Sequence, residues 1–126
     1  MTDITETVVT EDEVQGGEDM PGNESIALTE AVYYILLSLG QPLHGYGILQ
    51  NVERLSAGRV VLAAGTLYGA LNTLLERGWI AAVPGEAASR RKEYYLTDAG
   101  RAAARAELMR LKELVQNGET LLGGQP

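Results

Sequence analysis

Apolar residues in the middle of this chain switch from a helical to a strand-like period. Leu67, Leu71 and Leu74 fall at i, i+4 and i+7, which makes one stripe of a helix; Gly69, Asn72, Thr73 and Glu76 fall opposite. Gly78 follows the last turn, where a glycine takes the left-handed conformation that ends a helix. Two strand-like runs come next, Trp79 to Val83 and Arg90 to Leu96, with Pro84, Gly85 and Ser89 in or beside their connection.

Upstream, Thr29 is a fair N-cap for a helix that ends by Gly40, with Pro42 beyond it. Its middle, Ala31 to Leu39, is apolar nearly all round, which predicts burial on more than one face and, in so small a domain, cover from a second chain. A second helix is predicted from about Gly45 to Ala57. Ile48, Val52 and Leu55 share one face of it, and Gly58 ends it. Val60 to Leu62 reads as a short strand capping the sheet. Downstream, Thr97 caps a last helix with Asp98 in its first turn, favourably placed against the helix dipole. Ala104, Leu108, Leu111 and Val115 step by 4, 3 and 4, an a/d seam suited to docking on a partner subunit. Asn117-Gly118 is expected to stop this helix.

The expected fold is mainly α with a small β-hairpin wing (α+β): a winged helix-turn-helix plus a C-terminal dimerisation helix. The expected parts are a disordered acidic tail (1–24), the winged-helix domain (25–96), the dimerisation helix (97–117) and a flexible tail (118–126). In such a fold the helix before the hairpin enters the major groove while the hairpin lies along the phosphates.

Taken whole, charge argues against that reading, because the chain carries a net −7. Eight of the 17 acids lie in residues 1–24, which hold no Lys or Arg. Residues 25–126 therefore carry nine acids against all ten bases, a net of +1, with the positive charge clustered. Overall acidity does not exclude a nucleic-acid partner. The tail lacks apolar periodicity and buries too little to offset its ordering entropy. It either keeps the chain soluble or competes with DNA for the basic wing. With no cysteine, disulfides and thiolate metal sites are excluded. No signal-like or membrane-length apolar run is present, so a cytoplasmic protein is expected, with no membrane partner.

Arg90, Arg91 and Lys92 form the only dense cationic run. Alone it would be a solvated hairpin edge; after a helix it reads as a phosphate contact. Tyr68 can donate its hydroxyl to a phosphate or lie partly buried against the wing. Asn72 and Thr73 are the best base-edge candidates, Asn because it pairs bidentately with adenine; an ordinary polar helix face is the plain alternative. Thr66 and Arg77 complete the candidate DNA-contacting set. Glu76 on the same face repels phosphate unless it accepts from a cytosine amino group. His44 is the only histidine. Without a triad partner it is poor grounds for catalysis or metal binding, and it reads as capping or packing the start of the second helix. Tyr46 reads as core. Gly45-Tyr46-Gly47 lacks the third glycine of a dinucleotide loop. No enzyme activity, cofactor or metal is expected.

The motifs LTEAVYYILLSLG (28–40), HGYGI (44–48), GTLYGALNTLLERGWI (65–80) and RRKEYYLTDAGR (90–101), in this order, resemble the PadR family of winged-helix transcriptional regulators, over about residues 26 to 115. The single helix after the wing is similar to the subfamily with one C-terminal dimerisation helix. The resemblance implies a homodimer, usually a repressor, on an inverted repeat of the ATGT…ACAT type in double-stranded DNA. It also implies that a small aromatic or drug-like molecule can release the DNA. Two positions depart from the family: Gly69 stands where proline usually follows the tyrosine of GTLYP, and the C-terminal helix lacks the ligand-stacking tryptophan of drug-binding members, Trp79 being the only one.

Two readings of Tyr33, Tyr34 and Met109 stand: they line an effector space between subunits, or they fill the dimer core. Two classes of function remain besides the enzyme set aside above. One is the DNA-binding regulator. The other is a winged-helix protein–protein interaction module without sequence-specific DNA binding, whose affinity would not fall steeply with salt.

Overall fold

Thr29 opens the first helix as expected. Its hydroxyl accepts from the Val32 backbone N–H at 3.1 Å, and α1 spans Glu30–Ser38. The computed structural model describes residues 27–84 and 92–123. The expected tail 1–24, Arg90, Arg91 and residues 124–126 lie outside them. After α1 come β1 (Leu43–His44), α2 (Gly45–Leu55), α3 (Ala64–Glu76), β2 (Ile80–Ala82), β3 (Glu93–Leu96) and α4 (Asp98–Leu121). The architecture is the expected one, mostly helical with a small antiparallel sheet in the order β1-β3-β2.

Three helices meet in one core. Ile35, Leu36 and Leu39, Ile48 and Val52 of α2, and Leu67, Leu71 and Leu74 of α3 are all buried, and Ile80 and Tyr94 close the cluster from the sheet. Each such aliphatic side chain contributes roughly 1.5–3 kcal/mol. The stripe of α3 is its inward face, so Thr66, Asn72, Thr73 and Glu76 are left outside. On α1 the chain covers Ile35 and Leu36 but leaves Leu37 47% exposed.

Two helix ends close by the same device with different residues. At the end of α3, Gly78 takes φ +76; its N–H bonds Leu75 O at 3.0 Å and the Trp79 N–H bonds Leu74 O at 3.1 Å. At the end of α2 the residue in the left-handed position is Ala57 (φ 55), one before the expected Gly58, which follows at φ 82. The Ala57 N–H bonds Arg54 O at 3.1 Å and the Gly58 N–H bonds Glu53 O at 2.8 Å.

The expected strand at Val60 to Leu62 does not form. The Val60 N–H is taken by the Ser56 hydroxyl at 2.9 Å, which removes it from any ladder. The third strand comes instead from Leu43 and His44, which pair with Tyr94 and Glu93 of β3. In the hairpin, Ile80, Ala81 and Ala82 face Leu96, Tyr95 and Tyr94, and the Val83 N–H reaches Glu93 O at 2.8 Å.

Asn117-Gly118 does not stop the last helix. Gly118 keeps helical geometry and accepts from the Leu122 N–H at 2.9 Å; the left-handed glycine is Gly123, at φ 84. A mid-helix glycine costs only about 1 kcal/mol, which a 24-residue helix tolerates.

Candidate nucleic-acid interface

The inward leucines of α3 fix which side chains it offers to solvent. Thr66, Tyr68, Asn72, Thr73 and Arg77 are all exposed, together with Gly65, Gly69 and Glu76. The Asn72 amide has no partner among the described residues, so both its donor and its acceptor are available. Thr73 turns its hydroxyl onto the Gly69 carbonyl at 3.3 Å and keeps its lone pairs outward. Nothing lies within 4 Å of where a side chain would begin at Gly65 or Gly69. This face of the helix is backbone-thin because of residue choice, with no internal packing to demand it.

Tyr68 stands at the edge of that face, over the first residue of α2. A Cβ added to Gly45 would come within 2.8 Å of the Tyr68 ring carbon that bears the hydroxyl, so Gly45 is what lets the tyrosine lie there. Tyr68 therefore packs on the start of α2. Beneath it Tyr94 is buried, and burial first, with the Tyr68 phenol second, pushes its hydroxyl above the ordinary tyrosine value. His44 caps α2: its Nδ1 accepts from the Gly47 N–H at 2.9 Å. Tyr46 corrects the sequence expectation. It is 64% exposed, because the inward positions of this helix are taken by Gly45, Ile48 and Val52.

At the far end of α3, the Arg77 guanidinium lies over the Trp79 ring, 5.0 Å from its centroid. The stack holds a cation at the junction of helix and wing. No apolar period in the sequence marks it; the signal is a cation two residues before the lone tryptophan, across the helix-ending glycine. Lys92 is exposed just before β3. Arg90 and Arg91 lie outside the described residues.

The expected dimer seam divides along α4. Ala104 packs on the chain's own core, Leu111 is half-buried, and Leu108 and Val115 are exposed. Sequence reasoning missed Leu114, Leu121 and Leu122, also exposed, and Glu107, only 3% exposed. Their signal is a stripe through Gly100, Ala104, Glu107, Leu111, Leu114, Gly118 and Leu121, whose first half the body covers. Glu107 takes two bonds from Arg110, at 2.9 and 2.5 Å, and one from the Leu28 N–H at 3.4 Å. The Arg110 bonds, helped by Leu28 against the opposing effect of burial, hold its carboxyl below the ordinary glutamate value.

Of the effector candidates, Tyr33 and Tyr34 are half-buried on α1, Tyr34 against the core, while Met109 is 62% exposed on α4. The shallow depression at Met109 is lined by α4 residues alone and includes neither tyrosine. Among the described residues no cluster of histidine and acidic side chains could hold a metal, and no helix is long and apolar enough to cross a membrane.

A helix-turn-helix with an open polar face on its second helix, followed by a hairpin wing, defines a winged-helix, DNA-binding transcriptional regulator. The model of the transcriptional regulator PadR-like family matches residues 34–106, more than half of the sequence. The chain belongs to that family. Solved structures agree. A PadR family transcriptional regulator from Eggerthella lenta is 26% identical over 72% of this chain and 80% of its own, with a TM-score of 0.59. A PadR-like transcription factor from Bacteroides fragilis is 25% identical over 72% and 87%, at 0.57. RosR from H. salinarum, 24% identical over 80% and 96%, has the same fold at 0.60. Comparison with curated proteins gave no match. The family and the E. lenta and B. fragilis neighbours are transcription regulators and not enzymes, and regulators of this family bind DNA and are typically dimeric.

Proposed function

We propose that this chain is a cytoplasmic repressor that binds an inverted-repeat operator as a homodimer. The observation that carries the reading is the free Asn72 amide on the open face of α3, with the bare positions Gly65 and Gly69 beside it. In this reading α3 enters the major groove with Asn72 and Thr73 nearest the base edges and Thr66 one turn earlier. Tyr68 meets a phosphate, as does Arg77, pre-ordered on Trp79. Arg90, Arg91 and Lys92 follow the flanking backbone. Two-fold symmetry requires half-sites about 34–36 Å apart, or a multiple of that distance.

The uncovered apolar length of α4, with Leu37 on α1, supports the dimer. Tyr33 and Tyr34 on α1 and Met109 on α4 would face a space that exists only when two chains meet, where a small aromatic effector would loosen the hold on DNA. Ring and sulfur contacts suit such a ligand.

Binding to cognate and scrambled duplexes across a salt series tests the reading. Asn72→Ala is expected to cost about 1–3 kcal/mol on the cognate site and little on the scrambled one. Neutralising Arg90, Arg91 and Lys92 together should weaken both duplexes and flatten the salt slope, because fewer counterions are released. Trp79 fluorescence should change on binding in the wild type and much less in Arg77→Ala. Equal weakening of both duplexes by Asn72→Ala removes the base-reading role. Salt-independent binding to a protein target, with no DNA affinity, would replace the reading with that of an interaction module.

A further inference from the structure

Arg101, Arg105 and Lys112 stand on the outer side of α4 and are all exposed. Among the described residues their side chains make no hydrogen bond or ion pair, whereas the neighbouring Arg110 is neutralised by Glu107. At 3.6 residues per turn the three lie within roughly 40° of one another, and roughly 120–160° around the axis from the inward Glu107. No acidic residue of α4 falls on this line between Arg101 and Lys112. Beside it Lys112 shares a shallow depression with Ala106, Met109, Arg110, Glu113 and Gln116.

The described chain begins at this same helix: Leu28, its second residue, donates its N–H to Glu107 in the middle of α4. Glu24 lies up to about 14 Å along the chain from Leu28, at 3.3–3.6 Å per residue. The helix with its side chains is about 10–12 Å across. Glu24, and then Asp19 and Glu18, can therefore pass around one helix and meet the cations. Met20 and Val14 are interspersed with these acids.

We propose that the N-terminal segment, residues 1–26, seats on Arg101, Arg105 and Lys112, so that the chain carries its own polyanion on the back of α4. The stripe gathers three unpaired cations on one side of one helix, beside the point where the described chain begins, while the described part of the reading face holds two, Arg77 stacked on Trp79 and Lys92. Each exposed contact is weak and screened by salt. The tether compensates, because it keeps the local concentration of the segment at the order of mM.

The absence of cysteine makes the test direct. In full-length protein, Thr10→Cys carries a nitroxide label, and broadening of amide signals by NMR reports where the segment lies. Broadening is expected to be strongest at residues 101–112 at about 0.02 M salt and to fall at least about twofold at about 0.5 M, where the screening length is only a few ångströms. The same fall is expected at low salt when Arg101→Gln, Arg105→Gln and Lys112→Gln are combined, with unchanged circular dichroism as the check on folding. Tethering alone would give equal broadening in the triple variant and at high salt, and that result overturns the proposal. Strongest broadening at residues 66–77 and 92 would put the segment on the reading face and overturns it equally.

Discussion

Thr97 donates its hydroxyl proton to the Gly78 carbonyl at 2.6 Å, so the residue that caps α4 also fastens the residue that ends α3. The same oxygen accepts from the Gly100 N–H at 3.1 Å, and the Thr97 backbone N–H reaches Trp79 O at 3.0 Å. The end of α3, the root of the hairpin and the start of α4 thus meet on one residue. Thr97→Ala should cost about 1–2 kcal/mol in urea unfolding, as loss of a cap does, with Thr97→Ser within about 0.5 kcal/mol of wild type. An alanine variant as stable as wild type would show that the bridge carries no weight.

Two glycines on helices should respond in opposite ways to alanine. A Cβ at Gly100 would lie within 2.8 Å of the Trp79 carbonyl carbon and closer still to its oxygen, backbone that cannot turn aside. Gly100→Ala should destabilise by about 1–3 kcal/mol, the range for overpacking. Gly69 faces open space, so Gly69→Ala should stabilise the free protein by up to about 1 kcal/mol. If DNA approaches α3 there, the same methyl group weakens operator binding. Melting curves with and without DNA separate the two effects, and an alanine that raises both stability and DNA affinity would remove Gly69 from the interface.

Glu107 should shape the acid limb of stability. Its carboxyl sits below the ordinary value, chiefly through the Arg110 hydrogen bonds. The stabilisation is therefore fully present above the unfolded glutamate value, about 4.3, and is lost as pH falls through the lower folded value. Glu107→Gln should be less stable than wild type at neutral pH, with the gap closing toward about pH 3. Denaturant midpoints at several pH values check this; a gap independent of pH would assign the loss to packing.

Much of the fold was legible because the apolar periods are clean. Leu67, Leu71 and Leu74 read as the inward face of α3, and Thr29, Thr97 and Gly78 read as helix ends; all of them serve so. The misread positions are those where local residue type and tertiary context diverge. His44 and Leu43 form a strand because β3 passes beside them, not because two residues have a strand pattern. Val60 lost its ladder to one serine hydroxyl. Tyr46 looked apolar enough for the core, but smaller neighbours fill the inward positions. Of the proposed DNA-contacting residues, the helical set was legible as one polar face, while the stack of Arg77 on Trp79 needed the turn at Gly78 to be folded. The inward turn of Glu107 was hidden because a buried carboxylate follows no hydrophobic pattern.

The apolar stripe of α4 runs on past the body that covers its first half, and Leu121 is 83% exposed. Leu114→Asp combined with Val115→Asp should convert a dimer to a folded monomer, since neither side chain belongs to the chain's own core. Light scattering with circular dichroism distinguishes this from unfolding. A wild type that is monomeric at micromolar concentration would remove the dimer reading.

The four residues of β3 have little freedom to move by themselves. The Leu96 N–H is bonded to Leu39 O at the end of α1, one edge of the strand holds the residue that caps α2, the other continues into the turn after α3, and Thr97 hands it on to α4. A strand attached to every helix acts as the crosspiece of a frame. On such a frame a shift of α4 against α1 is expected to reach α3 and the hairpin together. In the proposed dimer, grip on a second subunit and aim at DNA would be two ends of one stiff part.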